Sequence, residues 1–120
     1  SAFGPARERA ASFRRAVEAR DIQSIRNLVD DPFGYGAGKS CARKDVAEAL
    51  VYWEKHGVIG RILKALDSEP IGIIAAPGER DRTMTAIFGD KSADMVDMVL
   101  VGMGEGGGKW MVTSISEYRP

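Results

Sequence analysis

Three clusters in this chain have the residue types and spacing that chemistry could use. The first is Gly34-Tyr35-Gly36-Ala37-Gly38-Lys39-Ser40. A glycine-rich turn ending in Lys-Ser is how a phosphate-binding loop offers backbone N–H groups and an ammonium to a triphosphate. The full pattern needs glycine five residues before Gly38, and Phe33 stands there. It also needs a buried strand immediately before the loop, whereas Asp30-Asp31-Pro32 closes a helical stretch. A nucleotide-hydrolysing site is therefore not expected. A milder expectation remains, a loop feeding a helix N-terminus with Lys39, Ser40 and Arg43 as candidate anion ligands. The bland alternative is a simple surface loop.

The second cluster surrounds Asp97, which interrupts the apolar run Met95-Val96-Asp97-Met98-Val99-Leu100-Val101. Strand alternation puts Asp97 on one face with Met95, Val99 and Val101, and Val96, Met98 and Leu100 on the other. A carboxylate among apolar neighbours is costly unless it is paired or raised in pKa, which makes Asp97 a candidate base. The alternative is a solvated position at the sheet rim. The third cluster is Tyr52-Trp53 with His56 three residues on. His56 is the other candidate base, against a plainer role as a charge at a helix end, and Trp53 fits either a pocket or the core.

Glycines 102, 104 and 107 in Gly102–Gly108 match a dinucleotide fingerprint in spacing alone. That fingerprint must open a helix, and Lys109-Trp110-Met111-Val112 reads as a strand, so a flexible hairpin loop is expected.

These candidates need elements to hold them. Pro5 followed by Ala10, Phe13, Ala16 and Val17 predicts a first helix. Asp21 caps a second, with Ile22, Ile25, Leu28 and Val29 on its apolar face, and Asp30-Asp31-Pro32 stops it. Phe33 to Ser40 reads as loop, with a short extended stretch at 33–35. Val46, Ala49, Leu50 and Trp53 mark a third helix closed by Gly57. Val58, Ile62, Leu63 and Leu66 keep helical spacing, but Gly60 weakens it and leaves helix or strand open. From Pro70 the pattern turns to strands: 71–76, 83–88, 95–103 and 110–116, with turns at Pro77-Gly78-Glu79 and Gly89-Asp90-Lys91. Helices followed by strands predict one α+β domain over residues 1–120. Its helical part covers about 5–67 and its curved antiparallel sheet about 70–117.

Composition fits a globular domain: 120 residues, 44% hydrophobic and 28% charged. Seventeen Lys plus Arg balance seventeen Asp plus Glu, so no nucleic-acid partner is expected. Cys41 is the only cysteine and His56 the only histidine, which leaves no intrachain disulfide and no expected metal site or cofactor. No apolar run approaches a membrane span, and the compartment stays open.

The stretch Phe13-Arg14-Arg15-Ala16-Val17-Glu18-Ala19-Arg20-Asp21-Ile22-Gln23-Ser24-Ile25-Arg26-Asn27-Leu28-Val29-Asp30-Asp31-Pro32-Phe33 resembles the opening of the nuclear-transport-factor-2-like (SnoaL-like) superfamily. The resemblance covers about a quarter of the chain and carries no catalytic residue. It implies an α+β cone, a curved sheet wrapped around helices with a pocket at its mouth, often dimeric through the outer sheet face. Phe33, Tyr35, Trp53 and Asp97 are then the candidate ligand-binding residues. Strand 95–101, apolar on both faces, fits the same dimer, because helices cover only one face. The expected function is a non-catalytic module binding a small apolar ligand or a partner. The alternative is a cofactor-free isomerase or dehydratase using Asp97 or His56.

Overall fold

Five small or apolar side chains at helical spacing, Ala6, Ala10, Phe13, Ala16 and Val17, form the buried face of the first helix, α1 (Gly4–Glu18), with Pro5 in its first turn. The computed structural model describes residues 3–74, 84–89 and 98–118. Asp21 caps α2 (Ile22–Arg26), its carboxylate accepting from the Ser24 N–H at 3.1 Å and the Ser24 hydroxyl at 2.7 Å. A short 3₁₀ turn (Arg43–Asp45) leads into α3 (Val46–Lys55), which buries Val46, Ala49 and Trp53. Gly57, at φ +62°, then turns the chain into α4 (Ile59–Leu66). The open question at 58–66 resolves as helix. Ile59, Ile62, Ala65 and Leu66 make a buried stripe, and Gly60 sits on the exposed side, where a missing side chain costs no packing.

The remaining elements are strands: β1 (Val29–Gly36), β2 (Lys39–Cys41), β3 (Ile71–Ile74), β4 (Met84–Phe88), β5 (Met98–Gly106) and β6 (Lys109–Tyr118). They form one sheet in the order β2-β1-β6-β5-β4-β3. The architecture is α+β with helices packed on a sheet, as expected, but three details differ.

The span read as a loop, 33–40, is a β-hairpin. Phe33 and Tyr35 alternate with glycines and face the core, and Ala37-Gly38, both at positive φ, make the two-residue turn that such hairpins favour. Val29 therefore opens β1 rather than closing the face of α2. Asp30-Asp31-Pro32 lies at the irregularity in β1 between its two contacts with β6, where proline's missing N–H is tolerated. The sheet is mixed, since β1 runs parallel to β6 while the other neighbours are antiparallel. Strand β5 also runs on to Gly106, so the glycine cluster is mostly strand. Its turn is only Gly107-Gly108, both at positive φ.

Helices and sheet share one core. Phe13, Ile25, Trp53, Val58 and Ile62 pack in the same cluster as Phe33, Phe88, Val101, Met103 and Val112. Phe13 and Trp53 meet edge to face at 6.4 Å, and Phe3 meets Trp110 at 6.1 Å. The opposite face carries a row that crosses all six strands in register: Ser40, Gly34, Ser114, Gly102, Ile87 and Ile71. It passes from hydroxyls and glycines at the β2 edge to isoleucines at the β3 edge.

Asp97, strand residues 95–97, the end of the 71–76 strand, the 77–79 turn and Asp90-Lys91 lie outside the described residues.

Candidate functional site

Glu48, Tyr52 and His56 recur every four residues, so they form one stripe along α3. That stripe meets Tyr35 and Gly36 of β1, Glu117 of β6 and Arg61 of α4. The Tyr52 hydroxyl donates to the Glu117 carboxylate at 2.8 Å, and the Arg61 guanidinium approaches the other carboxylate oxygen at 3.7 Å. The Glu117 side chain is only 1% exposed. A buried carboxylate is tolerable here because a phenol and a guanidinium supply the hydrogen bonding and charge that water would otherwise give. Gly36, at φ +138°, makes room for it. A Cβ there would fall 2.6 Å from the carboxylate oxygen and 3.1 Å from the Tyr52 ring.

Around this pair the aromatic rings are stacked in sequence. Tyr35 meets Tyr52 edge-on at 5.5 Å, and Tyr52 meets the His56 imidazole at 4.4 Å. The Tyr35 hydroxyl donates to Glu48 at 3.2 Å. Burial first, and then the negative field of Glu48, push the Tyr35 phenol above its ordinary value.

The second feature is a groove of about 340 Å³ on the outer face of the sheet, between the β1–β2 hairpin and the end of β6. Lys39, Ser40, Ser114, Ser116 and Tyr118 line it, over the bare backbone of Gly34. A larger surface groove of about 450 Å³ separates α1 from α2. Its apolar floor, Ala16 and Leu28, is almost fully buried and offers a ligand little surface.

The structure separates the sequence candidates. Phe33, Tyr35 and Trp53 are 1%, 5% and 0% exposed, with the Trp53 indole N–H donating to the Tyr35 carbonyl at 2.6 Å. They are core residues of the described structure. His56 is exposed at the end of α3, against Tyr52. Lys39 and Ser40 share the outer groove, but Arg43 does not join them. Its guanidinium donates to the Val29 carbonyl at 3.0 Å and its N–H to Asp31 at 3.0 Å. The glycine-rich turn at 36–38 does follow a strand, contrary to expectation, yet it leads into β2 rather than a helix. The helix N-terminus that would cradle phosphates is therefore absent from this turn.

The chain matches no protein-family model, no curated protein and no solved structure. The site must be read from its own geometry.

Sequence reasoning missed Glu117, Arg61 and the serines of β6. The reading ended the last strand at Ser116, one residue before the carboxylate. The available signal was alternation, since Glu117 continues the inward series through Ile115, and an inward carboxylate on a strand calls for a partner. Among the described residues, no group of three or more His, Cys, Asp or Glu side chains could hold a metal ion.

Proposed function

We propose that this protein is a non-catalytic binding or accessory module of the α+β cone type, working as a homodimer joined through the outer face of its sheet. The observation behind this reading is the apolar half of that face. Ile71 is 46% exposed there, and Ile87, Leu100 and Met98 are each partly exposed on the same face. An apolar patch on a sheet is rarely left to water, and a second copy covers it by a two-fold axis with no further component.

A binding role is favoured over catalysis by how the candidate residues are used. The buried carboxylate Glu117 is engaged by Tyr52 and Arg61, and the candidate base Asp97 lies outside the described residues. His56 is an exposed helix-end residue stacked on a tyrosine.

Sedimentation equilibrium with paired variants tests the reading. Leu100 lies on the outer face and Val99, 4% exposed, on the inner. Leu100→Lys is expected to give a folded monomer, whereas Val99→Lys unfolds the chain. A wild-type chain that stays monomeric at high concentration overturns the proposal.

A further inference from the structure

The groove between the β1–β2 hairpin and β6 gathers polar groups that the fold does not use. Lys39, Ser40, Ser114, Ser116 and Tyr118 all line it. None of the five has a side-chain hydrogen bond or ion pair among the described residues. A concavity lined by a few polar groups is the usual form of a small-molecule site.

Three physical details set the ligand class. Among the described residues the only acidic one in the wall is Glu117, whose side chain is 1% exposed and turned inward, with the Tyr52 hydroxyl and the Arg61 guanidinium against its carboxylate. Lys39 is the cation of the described wall, and hydroxyls around an ammonium complement the oxygens of an oxyanion. Gly34 keeps the floor open, because its neighbour Ser114 sits 3.4 Å from where a Cβ would stand. We infer that this groove binds the oxyanion of a small soluble ligand, a phosphoryl or sulfuryl group, with Lys39 as the charge anchor and Ser40, Ser114, Ser116 and Tyr118 as donors. The groove borders the proposed dimer patch, with Ser116 opposite Leu100 and Tyr118 opposite Met98, so the titration below is followed at the groove amides and the oligomeric state is measured separately.

The test is titration of the full chain with inorganic phosphate at constant ionic strength, followed by ¹⁵N-resolved NMR. Saturable shifts are expected at the amides of 34, 38–40 and 114–118. Lys39→Ala is expected to weaken binding at least tenfold. Gly34→Ala raises the floor without a clash and is expected to abolish binding while leaving the rest of the spectrum in place. Shifts that never saturate, shifts centred on the arginines of α1, or unchanged affinity in Lys39→Ala would each overturn the inference.

Discussion

The hydroxyl of Tyr52, on α3, donates to the carboxylate of Glu117, on β6, across 65 residues of sequence at 2.8 Å. Hydrogen bonds to a charged partner are worth more than neutral ones, and the cost rises when one partner is removed and the other stays buried. Tyr52→Phe leaves a carboxylate inside the protein without its phenol donor. It is expected to cost about 1.5–3 kcal/mol, read as a drop in the urea midpoint. Adding Glu117→Gln to Tyr52→Phe should cost less than the sum of the two single changes, because the pair acts as a unit. Additive losses would mean that the two groups are not coupled.

Gly36 and Gly38 offer a matched comparison. Both sit at positive φ, but a Cβ on Gly38 meets nothing within 4 Å, whereas one on Gly36 meets Glu117 and Tyr52. Gly38→Ala should cost about 1–2 kcal/mol, the backbone penalty alone. Gly36→Ala should cost about 3 kcal/mol or more, because strain and the displaced carboxylate add. Equal thermal shifts in the two variants would contradict the packing described here.

Cys41 is 9% exposed, and burial, followed by the fields of Glu48, Asp45 and Asp31, pushes its thiol up to about 11. At pH 8 a thiol with that pKa is roughly one-thousandth thiolate, so labelling by a disulfide reagent should be far slower in the native protein than in urea. The raised value also sets a sign. The folded state holds the proton more tightly than the unfolded chain, so stability is intact below the ordinary thiol value of 9.0 and falls as pH rises toward about 11. Tyr35, also raised, pushes in the same direction at still higher pH. Cys41→Ala should flatten the first part of that decline in pH-dependent unfolding. A profile unchanged by the substitution would refute the assignment.

At Asp21 the sign is reversed. Hydrogen bonds from the Ser24 hydroxyl and then the Ser24 N–H hold its carboxyl below the ordinary 3.8. Its contribution is therefore present above that value and lost as pH falls through the depressed one. Asp21→Ala should lower the melting temperature at neutral pH, and Asp21→Asn, which keeps a cap acceptor, should recover most of the loss. The gap between wild type and Asp21→Asn should close in acid.

The helices were legible in the sequence because each writes its own period. Phe13 with Ala16 and Val17, Asp21 before Ile22, and Trp53 with Ala49 need no distant partner to be read. β1 was legible only as a short extended stretch at 33–35, because glycines at 34, 36 and 38 and a proline at 32 are local signals for a loop. The alternation of Phe33 with Tyr35 becomes decisive only once β6 lies alongside. The same dependence hid the candidate site. Glu117 is an ordinary surface glutamate until Tyr52 and Arg61, from two other elements, close over it. The groove was half legible: Lys39 and Ser40 stood out beside the glycines, while Ser114 and Ser116 looked like strand filler.

The last of the described strands is also an inner strand of the sheet. β6 holds the β1–β2 hairpin on one side and β5 on the other, so without it the sheet falls into two unconnected pieces. Its pairing with β1 joins Val29 to Val112 and Gly34 to Ser114, contacts that local structure cannot form in advance. On a ribosome, α1, α2 and the first hairpin would emerge long before the strand that completes their core, with Phe33 and Val29 uncovered meanwhile. The fold is built like an arch whose middle stone is set last.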